Sequence, residues 1–453
     1  MVSLEGARHK ALRAIFNPGF SANNIMTYAD AIVEASLRFI DALGEKAKTN
    51  ELFEMEEYAT RLTIDIIGVA VFDTDLQAQK KLHPIVQHFR ERAPMMPGAD
   101  SPFFWQDVQL TRPFRLWWNN RKLDAAVDAE LDKKIQRRAK DLEDESLGIH
   151  KQKKKSIIDL ALNAYEKEMA IGKNLKNGDS IKSITNASTV PPMLRRDLID
   201  SIKTFFFAGH DTTSSTISWC LYLLHRYPET QAKLTAELDE VFPPGTSAAE
   251  RIRTDPYIIN KLEYTTACLK ETLRIFPPAS TLRALNKKHP ASKTKFMDPR
   301  TGIEHNLDGV HVWPVAHLIH RNKRFFPEPM KFIPDRFIPG RTPFPDADLF
   351  KPAGKNAFQP FSVGPRNCIG QELAMIESKI VLALTAREFD FVLEYPGEDA
   401  DPQPVTPESV AVEFAQETVM PNVVEGHRVW QTLKGSAKPV GGCPGRVYMR
   451  TGA

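Results

Sequence analysis

The sequence predicts a mainly helical fold with small β-sheets, and three observations carry that prediction. Apolar residues recur at three- and four-residue steps through the first two-thirds of the chain, the spacing of a buried helical face. After Pro277–Pro278, proline and glycine rise and short β-like pieces appear. Behind Cys368 the helical spacing returns in "IGQELAMIESKIVLALTAREF". With 453 residues, 42% of them hydrophobic, the chain can bury a sizeable core.

The first element is a basic helix in "GARHKALRAIF". The segments "NIMTYADAIVEASLRFIDALGEKA" and "EMEEYATRLTIDIIGVAVF" each predict one apolar-faced helix, and "FRLWWNNRKLDAAVDAELDKKIQRRAKDLEDE" predicts a basic amphipathic one. "KQKKK" at 151–155 and the polar stretch 167–192 read as solvated connections, because a charge run is far more often surface than binding site. A long helix follows Pro191–Pro192, another starts near Pro228, and "YIINKLEYTTACLKETLRIF" runs up to Pro277. "GVHVWPVAHLI" reads as β-like, and "FDFVLEY" and "GRVYMR" as short strands.

Charge and cysteine usage exclude several classes of function. Sixty basic against 57 acidic residues leave +3, which gives no bulk argument for nucleic acid. The four cysteines, Cys220, Cys268, Cys368 and Cys443, lack paired spacing, so neither a disulfide framework nor a zinc cluster is indicated. "MVSLEGARHKALRAIF" has no apolar stretch of the signal-peptide kind. The most apolar helix carries His210 and Asp211 mid-span, which favours a buried functional helix over a membrane one.

Four constellations carry chemistry. The loop "FSVGPRNCIG" sets Cys368 between two glycines at the mouth of a helix. If Cys368 occupies the first turn, free N–H groups and the helix dipole favour its thiolate, which is a known axial haem ligand. Gly364 would let the loop turn and Gly370 would let the helix approach a flat macrocycle. Arg366 could then pair a propionate and Phe361 could shield the sulfur. In "AGHDTTS", Ala208 and Thr212 lie four apart on one face, where the hydroxyl can compete for a backbone carbonyl and open the helix. Asp211 and Thr212 form an acid–alcohol pair suited to relaying protons. Glu271 and Arg274 in "ETLR", with Arg336 of "PDRF", would make a structural clamp if buried together. His9 and Arg13 stand one helical turn apart, a donor pair suited to a carboxylate, and Arg8, Lys10 and Arg13 make a basic tip for an acidic partner.

Together the four resemble the signature set of haem-thiolate monooxygenases, the cytochrome P450 superfamily, from Gly6 to the end of the chain. The resemblance implies one P450 domain over 1–453, with haem b as cofactor. It implies Cys368 as proximal iron ligand, Arg366 and Arg13 at propionates, His9 where many members have tryptophan, and Asp211–Thr212 as proton-delivery pair. Glu271, Arg274 and Arg336 match the structural triad. "RAIFNPGFS", "RLTIDIIG" and "GPRNCIGQELAMIESKIVLAL" are similar to filamentous-fungal members that tailor secondary metabolites of the sterigmatocystin and aflatoxin group. That similarity implies oxygen insertion into an apolar substrate, with electrons from NADPH through cytochrome P450 reductase on the cytosolic face of the endoplasmic reticulum. Relative to the family, the chain lacks the membrane anchor, the first helices and part of the β-rich region, so upstream coding sequence and membrane association of the longer form are expected. The alternatives are a truncated, incompetent haem-binding fragment and a haem-thiolate isomerase or dehydratase. An intact Asp211–Thr212 pair argues against the last.

Overall fold

The computed structural model describes residues 4–81, 83–92, 111–147, 154–172, 189–280, 283–284, 295–298, 300–307, 310–394, 431–434 and 436–450. Helix dominates these residues. In chain order the helices are α1 (Gly6–Phe16), α2 (Ala22–Met26), α3 (Ala29–Thr49), α4 (Met55–Phe72), α5 (Pro84–Arg92), α6 (Arg112–Ser146), α7 (Ile157–Gly172) and α8 (Pro192–Arg226). There follow α9 (Pro228–Val241), α10 (Ala248–Thr254), α11 (Glu263–Ile275), α12 (Ala316–Ile319) and α13 (Gln371–Thr385).

The axis of the molecule is α8, 35 residues and thus about 52 Å long. Pro192 opens it at a position where no amide hydrogen is missed, and Pro228 follows its end at Tyr227. From Thr213 to Cys220 every residue is buried. Two hydroxyls there are satisfied along the helix itself, Thr216 donating to the Thr212 carbonyl and Ser218 to the Ser214 carbonyl, both at 2.9 Å, while Ser215 donates to the Ala437 carbonyl at 2.9 Å. α4 packs along α8. Gly209 permits their close approach, since a Cβ built there would lie 3.1 Å from Ile67 Cδ1.

Two predicted helices and one predicted connection differ in detail, each for a local reason. The helix expected over 24–47 breaks at Thr27–Tyr28, where the Thr27 hydroxyl bonds the Asn24 carbonyl at 2.6 Å and competes with the helical amide. The helix expected over 257–276 is a 3-10 turn, Pro256–Lys261, followed by α11. The Glu237 carboxylate on α9 accepts the amides of Tyr264 and Thr265 at 2.5 and 2.8 Å, restarting the helix there. α7 extends through 167–172, which the sequence reading treats as connection; Lys167 and Glu168 are exposed but helical. Its start is a reciprocal cap between Ser156 and Asp159. Residues 151–153 and 173–188 of those stretches lie outside the described residues.

The sheets are small and antiparallel. β1 (Phe53–Glu54), β9 (Pro444–Met449) and β6 (Phe389–Leu393) form one sheet in the order β1-β9-β6, pairing Phe53 with Gly445 and Phe391 with Val447. Two-stranded pairs join β2 (Arg283–Ala284) to β5 (His311–Val312), β3 (Lys295–Met297) to β4 (Glu304–Asn306), and β7 (Gln431–Lys434) to β8 (Ser436–Pro439). The expected strands at 389–395 and 445–450 are therefore present as β6 and β9. "GVHVWPVAHLI" yields only the two residues of β5, because Pro314 cannot donate to a ladder and one turn of α12 follows. Among the described residues no helix is long and apolar enough to cross a membrane.

Candidate active site

The cysteine loop is pinned by its own backbone. The Cys368 amide donates to the Phe361 carbonyl at 2.8 Å, Asn367 to Gly364 at 3.0 Å, and Ser362 to Gln359 at 3.0 Å. Gly364 makes this turn at φ +80°, where a side chain would be strained. Of the four cysteines only Cys368 is exposed. Burial pushes the Cys220 thiol up to about 12 and those of Cys268 and Cys443 upward as well, so these three are inert core groups.

Cys368 is not in the first helical turn as the sequence suggests. α13 begins at Gln371 with Gly370 as its cap, so the cysteine precedes the cap by two residues. One amide, that of Gly370, reaches its sulfur. The thiol is accessible yet crowded by protein, and desolvation raises its pKa against the opposing pull of that amide and of Arg13. A Cβ built at Gly370 would meet nothing closer than the Cys368 sulfur and the Phe20 ring, both at 4.0 Å. Phe361 is half-buried beside them.

Three basic groups converge on this loop. Arg13 of α1 donates to the Asn367 carbonyl at 2.6 Å and to its side-chain oxygen at 2.8 Å. Arg366 donates to the Leu4 carbonyl at 2.6 Å. His9 is held below its ordinary pKa by burial and then by Arg366 and Arg13. None of the three makes an ion pair among the described residues. An exposed thiol beside two arginines that lack a carboxylate, with a neutral imidazole on the same helix as Arg13, suits a metal-centred, anionic ligand.

A path of aromatic contacts leads from the loop to α8. Phe20, next to Gly370, stacks edge-on against Phe205 with centroids 4.9 Å apart, three residues before Ala208. Here α8 turns an exposed face, Phe207 and Ala208, just ahead of its fully buried stretch from Thr213. Thr212 donates its hydroxyl to the Ala208 carbonyl at 2.8 Å, the competition that the sequence predicts. Asp211 does not bond Thr212. Its carboxylate is buried on another side of the helix, where it accepts the Ser436 amide at 2.8 Å and pairs Lys438 at 2.7 Å.

The clamp is assembled and almost fully buried. Glu271 receives Arg274 Nε and Nη2 at 2.8 and 2.9 Å, the Ile333 amide at 3.0 Å, and Arg336 at 3.4 Å. Arg274 also donates to the carbonyls of His320, Pro329 and Lys331. His320 escaped the sequence reading, because a lone histidine after an apolar turn carries no spacing signal. It joins the clamp to the cysteine loop: one ring nitrogen lies 3.2 Å from the Arg274 carbonyl and the other accepts the Gln359 amide at 3.0 Å. Burial pushes its pKa down to about 4, so it stays neutral in both contacts at physiological pH.

Glu377 of α13 is a second group that the sequence did not single out. It is buried against α8 with Thr213 as its hydrogen-bond partner, and desolvation pushes its pKa from 4.5 up to about 8. The folded state therefore binds a proton that the unfolded state releases, and stability falls as pH rises from about 4.5 to 8. At 1.36 kcal/mol per unit the loss reaches about 5 kcal/mol above pH 8. Urea unfolding at pH 5 and pH 8 is expected to show this slope in the native sequence and a much flatter one in Glu377→Gln.

Comparison with known proteins decides the family. The family model for cytochrome P450 matches residues 1–413. The chain is a cytochrome P450. This P450 is 33% identical to the cytochrome P450 monooxygenase acrF of Aspergillus aculeatus over 99% of its own length and 84% of that protein's. It is 29% identical to the monooxygenase polC of Polytolypa hystricis, covering 99% of this chain and 72% of that one. The crystal structure of the cytochrome P450DA heme domain shares its fold, with a TM-score of 0.67 at 20% identity over 99% of this chain and 79% of that one. The P450 is thus a haem-dependent monooxygenase, an oxidoreductase that incorporates oxygen from dioxygen into an organic substrate with the help of a redox partner.

Proposed function

We propose that this P450 inserts one oxygen atom into an apolar fungal secondary metabolite, taking electrons from NADPH through cytochrome P450 reductase at the cytosolic face of the endoplasmic reticulum. The observation that carries the reading is the exposed Phe207–Ala208 face of α8, apolar and one turn from Thr212. Similarity to two fungal monooxygenases supports the substrate class.

In this reading haem supplies the activation of dioxygen. Cys368 would hold the iron as thiolate, with the Gly370 amide hydrogen-bonded to its sulfur. Arg13, Arg366 and His9 would answer the two propionates, which explains why the two arginines gather without a carboxylate partner. Gly364 and Gly370 would leave room for the macrocycle at this loop, Phe361 would limit water at the sulfur, and Ala208 would line the pocket. Thr212, its hydrogen committed to the Ala208 carbonyl, offers its oxygen as acceptor and so positions a proton donor. Asp211 supplies protons from the interior side of α8.

Thr212→Ala is expected to leave haem and substrate binding in place while diverting electrons to hydrogen peroxide. A positioned proton is worth roughly 10²–10⁴-fold, so product per NADPH should fall by at least tenfold. The test is product, peroxide and NADPH measured together with reductase and an accepted substrate. Unchanged coupling would remove Thr212 from proton delivery.

A further inference from the structure

Lys438 is a buried cation shared by two carboxylates from different elements. Its Nζ lies 2.6 Å from Glu56 Oε1 at the start of α4 and 2.7 Å from Asp211 Oδ1 on α8. The three side chains are only 14%, 13% and 7% exposed. Glu56 has further donors in Thr60 at 2.8 Å and Ser214 at 3.4 Å. The second oxygen of Asp211 is taken by the Ser436 amide, so β8 holds both carboxylate oxygens. Burial opposes the charge on Lys438, but Glu56 and Asp211 outweigh it and keep the ammonium protonated.

This arrangement has a consequence for the neighbouring Thr212. Successive residues on a helix point about 100° apart, and Asp211, held by β8, makes no bond to the threonine. To pass a proton toward Thr212 its carboxyl must leave Lys438 and Ser436. An ammonium with Asp211 as its sole counterion would resist that, because breaking a buried pair leaves a bare charge. Glu56 changes the balance. When Asp211 turns away, Lys438 keeps a charge-assisted hydrogen bond.

We propose that Lys438 and Glu56 are positioning residues that hold Asp211 on β8 and let it go, thereby setting the rate at which protons reach Thr212. The inference rests on the reading of Asp211 as proton donor. The balance is a simple one: Asp211 gains a proton from the solvent side and returns to carboxylate when it gives that proton up. The other titratable groups around it are His210 on α8, which burial holds neutral, Glu377 behind Thr213, and Cys443 beyond β8, whose thiol burial keeps protonated.

The test uses the haem-loaded full chain with reductase, and four variants that retain the carbon monoxide spectrum and substrate affinity. In Glu56→Gln, Lys438 is bound to Asp211 as its one carboxylate, and coupled turnover is expected to fall about tenfold with a larger solvent isotope effect, roughly one unit of proton affinity. Lys438→Met leaves two carboxylates without their cation, so the pH optimum should move up by about one unit. At pH 7 the same variant should gain a protonated-carboxyl infrared band in addition to that of Glu377, and the added band should be absent from the native protein. Lys438→Arg is expected to restore the native pH profile. Asp211→Asn separates the two ideas. If it leaves coupling untouched, the donor reading fails. If it uncouples turnover while Glu56→Gln and Lys438→Met keep native isotope effects and pH profiles, the positioning role is overturned. Should Lys438→Met fail to load haem, Glu56→Gln and Lys438→Arg still decide.

Discussion

Cys368→Ser is expected to abolish the red-shifted Soret band of the reduced, carbon monoxide-bound protein and to reduce monooxygenase turnover to background, with far-UV circular dichroism nearly unchanged. The reason lies in the contrast among the four thiols. Three are sealed in the core, where desolvation keeps them protonated and no ligand can reach them. Cys368 is the one that is accessible, and its loop is closed by backbone hydrogen bonds that a serine leaves intact. The substitution changes one atom in a frame that does not depend on it. A variant that kept the full thiolate spectrum would show that the ligand lies elsewhere.

Glu271→Ala is expected to have the largest effect on stability. The carboxylate is the counterion of Arg274 and Arg336, and all three side chains are at most 1% exposed. Its removal leaves two guanidinium groups with no counterion in the interior, which costs about 3–5 kcal/mol against a total stability of about 5–15 kcal/mol. Loss of most soluble expression is expected, and any material recovered should unfold at a far lower urea midpoint. Because His320 ties Arg274 to Gln359, haem retention should fail at a lower urea concentration than helix content does. Simultaneous loss of the two signals would mean that the clamp does not act through the loop.

Much of the fold and the site is legible in the residues because the strongest signals are local. The spacing in 54–72 and 369–389 fixes α4 and α13 closely, and the prolines at 192 and 228 mark where α8 and α9 begin. The breaks at Thr27 and Leu262 are less visible, since each depends on a hydrogen bond of a single side chain, from Thr27 and from Glu237 respectively. At the site, Cys368, Arg366 and Gly364 are readable as one continuous motif. Glu56, His320, Glu377 and Lys438 are not, because each gains its importance from a partner that is distant in sequence: Lys438 meets Glu56 across 382 residues. The position of Asp211 illustrates the limit well. Its type and neighbours suggest an acid beside an alcohol, whereas its direction is set by a hairpin that no local pattern announces.

The pairing of β1 with β9 reaches across almost the whole chain, Phe53 meeting Gly445, and β8 completes the surroundings of Asp211 just ahead of it. On the ribosome, then, the cysteine loop, the clamp and Thr212 are all synthesised before the acid finds its counterion. A chain arrested near residue 430 would carry the whole cysteine signature, yet Asp211 would face Glu56 with no cation between them. Two carboxylates left in that position repel, and one of them takes up a proton. Translation order thus makes the hairpin of β7 and β8 the step that converts an assembled helical body into one with a correctly charged interior.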